Sequence, residues 1–244
     1  MAAKGLKVGT KDIDVILEDK KQFTALANGL QLTGYHLVNE PVIERVYKKL
    51  AAQAILENDE GFRWDIFLRV VANKLSLSEP MKERAEPYIN DGKLSVRALS
   101  KEDIFLLKGV TERERDLEDM FRIARSGIDY NAVYEECLHQ SEATGRIWET
   151  GLCDTCERLK AKYNLTVPFL SKLRRKGEQK LFSRIIKREV KAGNDSEESI
   201  AKSVSDHLTR KDVREVLATL SKQGEIEIRD GKVTIPKKAR NSKA

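Results

Sequence analysis

The stretch VGTKDIDVIL, residues 8–17, decides how the rest of the chain is read. Asp12 and Asp14 stand one residue apart in a run of aliphatic residues, and residues 12–18, DIDVILE, read as a strand. Side chains alternate along a strand, so the two carboxylates project from one face. Two anions that close repel each other unless a cation sits between them or one takes a proton. A divalent cation bridged by carboxylates and a substrate phosphate resolves the conflict. An edge strand with one solvated face resolves it as well.

A second run bears on that choice. FRWDIF, residues 62–67, sets Asp65 among Trp64, Ile66 and Phe67 in what reads as a central strand. If the two strands are neighbours, Asp65 completes a carboxylate trio for a metal ion. The alternative is that Asp65 pairs with Arg63 or Lys11 on a solvated face.

Working outward, residues 19–33 read as an amphipathic helix with Phe23, Leu26, Leu30 and Leu32 on one side and Gly34 as its stop. A short YHLV strand (35–38) follows, then a helical or mixed stretch. The runs 51–58 and 62–71 form a hairpin around ENDEG, where Gly61 tolerates positive φ. KLSVRAL (93–99) is a further strand. From Ser100 the pattern turns helical, with helices expected over 101–110, 112–125, 129–143, 153–163 and, briefly, 167–175. SKED (100–103) reads as a capping box, with Asp103 in the reciprocal position. KLRRKGEQK (172–180), a charged run broken by Gly177, marks a boundary. Beyond it come helices 178–192, 196–207 and 210–222, then two alternating strands around Asp230-Gly231, a type I′ hairpin signal. Three helices and a hairpin in so short a span follow the winged helix-turn-helix plan. The expected class is therefore α+β. A mixed-sheet domain spans 1–99, a helical extension of it spans 100–175, and a small winged-helix domain spans 176–244.

Charge divides the chain in the same place. The net charge is +6, but from Lys172 to Ala244 there are 20 Lys and Arg against 11 Asp and Glu. The preceding 171 residues carry a slight acidic excess, so the basic end is the candidate for touching nucleic acid. In a winged helix the third helix enters the major groove and the hairpin flanks the backbone. Arg210, Lys211 and Arg214 on that helix, with Arg229 and Lys232 on the hairpin, are the expected phosphate contacts. Asp212 and Glu215 dilute that face, as they would on a module that docks protein instead.

Three cysteines do not suggest a disulfide framework. Cys137, His139, Cys153 and Cys156 offer zinc-ligand chemistry. However, residues 137 and 139 point about 200° apart on a helix, so buried thiols are expected and zinc is not. No run approaches the roughly 20 apolar residues of a membrane span, and no signal-peptide pattern opens the chain, so a cytoplasmic location is expected with no membrane partner.

TKDIDVIL followed by RWDIF resembles the nucleotidyltransferase superfamily with the polymerase-β-like fold. The likeness is strongest to its small prokaryotic members, the toxin-like enzymes of abortive-infection and toxin–antitoxin systems. It covers about residues 5–125 and extends into LSKEDIFLLKGVTERERDLEDM (99–120). The resemblance implies that Asp12 and Asp14 bind Mg²⁺ or Mn²⁺ with Asp65 as third carboxylate, which also helps deprotonate the acceptor hydroxyl. It implies a nucleoside triphosphate as substrate, met by Thr10, Lys11, Lys108 and Arg113. The acceptor implied is an RNA, such as a tRNA end, or a protein. An antitoxin or a second copy is the partner that such systems imply. Asp116 and Asp119 share a helical face at i and i+3, while Glu114, Arg115 and Glu118 read as a salt-bridged surface. The family motif opens with a Gly-Ser or Gly-Gly turn about ten residues before the acid pair, at a phosphate-cradling helix N-terminus. MAAKGLKVGTK, the eleven residues before Asp12, holds no such dipeptide. Two expectations follow: an active enzyme whose turn lies upstream, or an inactive nucleotidyltransferase-like module serving a DNA-binding regulator.

Overall fold

The computed structural model describes residues 1–38 and 52–236. The helical or mixed stretch expected within 39–51 and the basic tail from 237 lie outside the described residues. The chain divides into two compact units, Met1–Ser171 and Lys172–Ala244.

The first unit is built on a four-stranded mixed sheet of β1 (Asp12–Leu17), β2 (His36–Leu37), β3 (Ala54–Glu57) and β4 (Arg63–Leu68), in the order β1-β4-β3-β2. β1 runs parallel to β4, whereas β4–β3 and β3–β2 are antiparallel. A parallel pair needs a crossover, and α1 (Lys20–Leu32) begins it. Asp19 caps α1 by accepting from the Gln22 backbone N–H at 2.8 Å. Phe23, Leu26 and Leu30 of α1 pack with Leu56 and Ile66 of the sheet. Leu32, expected on the same side, is 88 % exposed. Its place two residues after Leu30 turns it about 200° away. The β3–β4 turn is tied by Asn58, whose Oδ1 accepts from the backbone N–H groups of Glu60 and Phe62, with Gly61 at φ 75°.

The run expected as one strand over 62–71 is interrupted. Arg69 adopts φ 59°, so β4 stops at Leu68 and the chain turns into a small hairpin of β5 (Val70–Val71) and β6 (Leu75–Ser76). α2 (Glu79–Arg84) and a second hairpin of β7 (Glu86–Asn90) and β8 (Ser95–Ala98) lead to the helices. These are α3 (Lys101–Thr111), α4 (Asp116–Arg125), α5 (Tyr130–Thr144) and α6 (Trp148–Tyr163). The helix expected from residue 112 starts at Asp116 because Glu112 closes α3 in the left-handed region. α6 starts five residues earlier than expected, at Trp148. Ser100 caps α3 by accepting from the Asp103 N–H at 3.1 Å, but the reciprocal carboxylate is used elsewhere. Asp103 accepts from Arg84 at 2.6 Å and from the Ser100 hydroxyl at 2.8 Å.

α7 (Leu170–Lys191) runs unbroken through the segment expected to separate two helices. Gly177 costs a helix interior about 1 kcal/mol, too little to break one that Phe182, Ile185 and Ile186 tie to a core. The second unit continues with α8 (Glu197–Ser203) and α9 (Arg210–Lys222), each opened by a capping box. It ends in an antiparallel hairpin of β9 (Glu227–Arg229) and β10 (Lys232–Thr234). Asp230 and Gly231 both hold positive φ, 50° and 76°, as a type I′ turn requires. Ile186, Ile200, Val213, Leu217, Ile226 and Val233 are among its core residues. The architecture is thus α+β, with a mixed four-stranded sheet and a mainly helical remainder. No helix among the described residues is long and apolar enough to cross a membrane.

Candidate active site

The parallel register of β1 and β4 pairs Asp14 with Asp65 and Asp12 with Arg63. Neighbouring strands stand about 4.8 Å apart and paired residues share a face, so Asp12, Asp14 and Asp65 all belong to one side of the sheet. Asp65 is buried, with 4 % of its surface exposed, and takes both arms of the Arg63 guanidinium, Nε at 2.7 Å and Nη2 at 2.8 Å. Burial raises its carboxyl above the usual range, against the pull of Arg63. Asp14 is exposed to water, yet the protein around it pushes its carboxyl up, and the neighbouring charge of Asp65 pushes it further.

Two cations oppose that rise. Lys108, from the last turn of α3, and Arg113, from the turn before α4, both lie within electrostatic reach of Asp14 and pull its carboxyl down. Arg113 acts on Asp65 in the same way. Lys108 and Arg113 thus stand near enough for their charge to bear on Asp14.

Lys108 is already held by acids. Its Nζ lies 2.9 Å from Asp116 and 2.8 Å from Asp119, which share one face of α4. Burial works against the ammonium, but the two carboxylates outweigh it and hold its pKa above the ordinary lysine value. The Thr111 hydroxyl donates to Asp116 at 2.9 Å, and Lys7 reaches Asp119 at 3.5 Å. Burial favours the neutral acid at Asp119, yet Lys108 and then Lys7 hold its carboxyl below the usual range.

Thr10 and Lys11 are engaged locally. The Thr10 hydroxyl accepts from the Asp12 N–H at 3.1 Å and donates to the Asp12 carbonyl at 3.0 Å. Lys11 donates to the Glu60 carbonyl at 2.9 Å and lies 5.5 Å above the Phe62 ring, so it braces the β3–β4 turn. Glu114 pairs with Arg158 and Lys162, and Glu118 with Arg122, as a solvated helix surface would.

The donor set of the sheet face is hard oxygen, which suits Mg²⁺ or Mn²⁺. Among the described residues, no three His, Cys, Asp or Glu side chains stand close enough together to hold a metal ion. The three aspartates therefore share a face without closing on a common point, and Arg63 occupies one site on each Asp65 oxygen. A carboxylate offers about four lone-pair positions, so Asp65 retains acceptor capacity beside that fork. The fork had a signal in the sequence: Arg63 and Asp65 at i and i+2 on one strand. Thr111 and Lys7 had none.

The other candidate clusters resolve differently. Cys137, Cys153 and Cys156 are all buried, and burial pushes the Cys156 thiol far up. In the second unit, each residue expected to meet phosphate has an acidic neighbour. Glu197 pairs with Arg214 at 2.8 Å and Arg210 at 3.4 Å. Glu215 lies 3.8 Å from Lys211, Glu227 lies 2.8 Å from Arg229, and Asp195 lies 3.9 Å from Lys232. No protein-family model matches the chain, and a search of curated proteins returned no match.

Proposed function

We propose that the first unit is a divalent-cation-dependent nucleotidyltransferase. It would move a nucleotide from a nucleoside triphosphate to a hydroxyl of an RNA or a protein, in the manner of the toxin-like enzymes its sequence resembles. The observation that carries this reading is the β1–β4 register, which sets Asp14 beside Asp65 with Lys108 and Arg113 within electrostatic reach. Asp12, Asp14 and Asp65 offer hard oxygens for that cation on one sheet face, but their side chains do not converge on one point, so holding it would require them to turn toward each other. Bound there, it would neutralise charge developing on the transferred phosphate. Arg113 supplies a planar fork for phosphate oxygens. Lys108, held by Asp116 and Asp119, would supply a point charge as well. Asp65, whose carboxyl is raised by burial, would also help to take the acceptor's proton. The second unit is read as a winged-helix appendage, since three helices followed by a type I′ hairpin match that plan.

The test is purified protein with Mg²⁺ or Mn²⁺, each α-labelled triphosphate in turn, and total cellular RNA and protein as acceptors. Label appears in one acceptor class and vanishes with Asp12→Asn/Asp14→Asn. Absence of label from both classes with every triphosphate refutes the reading. The Arg63 fork on Asp65 favours one alternative, an inactive nucleotidyltransferase-like module serving a DNA-binding regulator. That alternative predicts triphosphate binding by titration calorimetry without turnover.

A further inference from the structure

We infer that the nucleic-acid surface of the second unit is a basic stripe along α7, rather than the exposed face of α9 and its hairpin. The inference rests on the charge of the second unit alone and stands or falls independently of nucleotidyl transfer. α7 carries nine Lys and Arg against two Glu over Leu170–Lys191. Successive helical residues turn by about 100°, and that rotation sorts the charges. Lys180, Arg184, Lys187, Arg188 and Lys191 fall at i, i+4, i+7, i+8 and i+11, within an arc of about 100°. Phe182, Ile185, Ile186 and Val190 occupy the opposite side and pack into the core of the unit. Both glutamates, Glu178 and Glu189, fall outside the basic arc, on the side of Phe182 and Ile185. Arg184, Arg188 and Lys191 are exposed, and Lys180 and Lys187 are partly exposed. Arg188 lies 3.3 Å from Glu189, Lys187 pairs with Glu225, and Lys180 and Arg184 have partners of their own, so the stripe is distinguished by its uninterrupted arc of positive charge and not by unpaired cations.

The five cations span about 16 Å of helix. A duplex carries about one negative charge per 1.7 Å of its axis, so a stripe of that length meets several phosphates at once. The charge pattern fits the sugar-phosphate backbone, and phosphate contacts carry no sequence information directly, so binding independent of sequence is the expected outcome. A lipid surface fits poorly, because a membrane-lying helix buries its apolar face and here that face is committed to the core. On α9 the contrast is local: Glu197 sits between Arg210 and Arg214 and would itself face phosphate.

The experiment is fluorescence anisotropy of the full chain with labelled 25-mer RNA and DNA, single-stranded and duplex, from 50 to 300 mM KCl. For the duplex, five contacts predict a slope of log affinity against log salt of about −4.5, on the order of −0.9 per phosphate. Replacing Lys180, Arg184, Lys187, Arg188 and Lys191 by Gln weakens binding about 100-fold at low salt and flattens that slope. Lys180→Arg/Lys187→Arg/Lys191→Arg binds as the parent does, which separates lost charge from lost folding. Arg210→Gln/Arg214→Gln stays within about threefold of the parent. The inference is overturned if the Gln variant, melting as the parent does, binds equally well. It is also overturned if the α9 variant alone loses binding, or if phosphatidylserine vesicles or polyglutamate compete as well as unlabelled nucleic acid.

Discussion

Arg84→Leu is the substitution whose cost follows most directly from the structure. Arg84 donates through Nη2 to Asp103 at 2.6 Å and to Glu136 at 2.7 Å. Both acids are almost wholly buried, at 1 % and 2 % exposure. Glu136 also accepts from the Ser78 hydroxyl at 2.7 Å and from Gln140 at 2.9 Å. Leucine keeps much of the volume and leaves two carboxylates out of water without their cation, a loss of about 3–5 kcal/mol. For a unit of this size that lowers Tm by roughly 6–20 °C. The pH dependence fixes the mechanism. Burial pushes Glu136 up, but Arg84, Gln140 and Ser78 outweigh it and hold its carboxyl below the usual range. Its stabilising contribution is therefore present above the unfolded pKa and lost as pH falls through the folded one. Burial holds the Asp103 carboxyl above the usual range even with Arg84 present. Without Arg84, burial raises Asp103 further and Glu136 as well, and each then contributes stability at acid pH that is lost as pH rises. The deficit of the variant is thus largest near pH 7.5 and shrinks toward pH 5. Urea unfolding followed by circular dichroism at both pH values measures it. A deficit under about 1 kcal/mol at pH 7.5, or one that grows on acidification, refutes the reasoning. Asp103 lies in the first turn of α3 and Lys108 in its last, so the same variant perturbs the orientation of the site's lysine.

Two further outcomes follow from packing. A Cβ on Gly109 would clash with Leu152 Cδ1 and stand 3.2 Å from Met120 Cε. Gly109→Ala therefore costs about 1–3 kcal/mol, and adding Leu152→Ala recovers part of it, which a double-mutant cycle by chemical unfolding detects. Cys137, Cys153 and Cys156 are buried, so a thiol reagent titrates them slowly in the native protein and all three rapidly in 6 M guanidinium, as absorbance at 412 nm records.

The strands were legible because the alternation of acids with β-branched residues is local, and so was the hairpin that aligns β3 with β4. The sheet face of Asp12, Asp14 and Asp65 followed from alternation plus one guess, that β1 neighbours β4. What the sequence hid depends on atoms brought from afar. Arg84 meets Glu136 across 52 positions, and neither residue sits in a recognisable spacing. The break at Arg69 requires a left-handed conformation in a residue that rarely adopts it, so the β-prone run from Phe67 to Val71 looked continuous. Gly177 misled in the opposite direction, since a glycine in a charged run reads as punctuation while the core contacts of Phe182 and Ile185 hold the helix through it. The ion pairs of Arg210 and Arg214 were hidden because their partner, Glu197, opens another helix.

β1 is the outermost strand of its sheet among the described residues, paired with β4 alone. No described residue pairs with its other margin, whose backbone donors and acceptors could template a strand from a second molecule. Asp12 and Asp14 place like charges on that margin, so two copies attempting to extend the sheet there bring four carboxylates together. The residues proposed to bind a cation thus also discourage polymerisation, and the two roles oppose each other, because a bound cation screens the repulsion. Asp12→Asn/Asp14→Asn removes the guard along with the charge. Its transferase assay therefore needs a companion light-scattering run across a tenfold concentration range, in which the neutral edge raises the apparent mass and the parent stays constant.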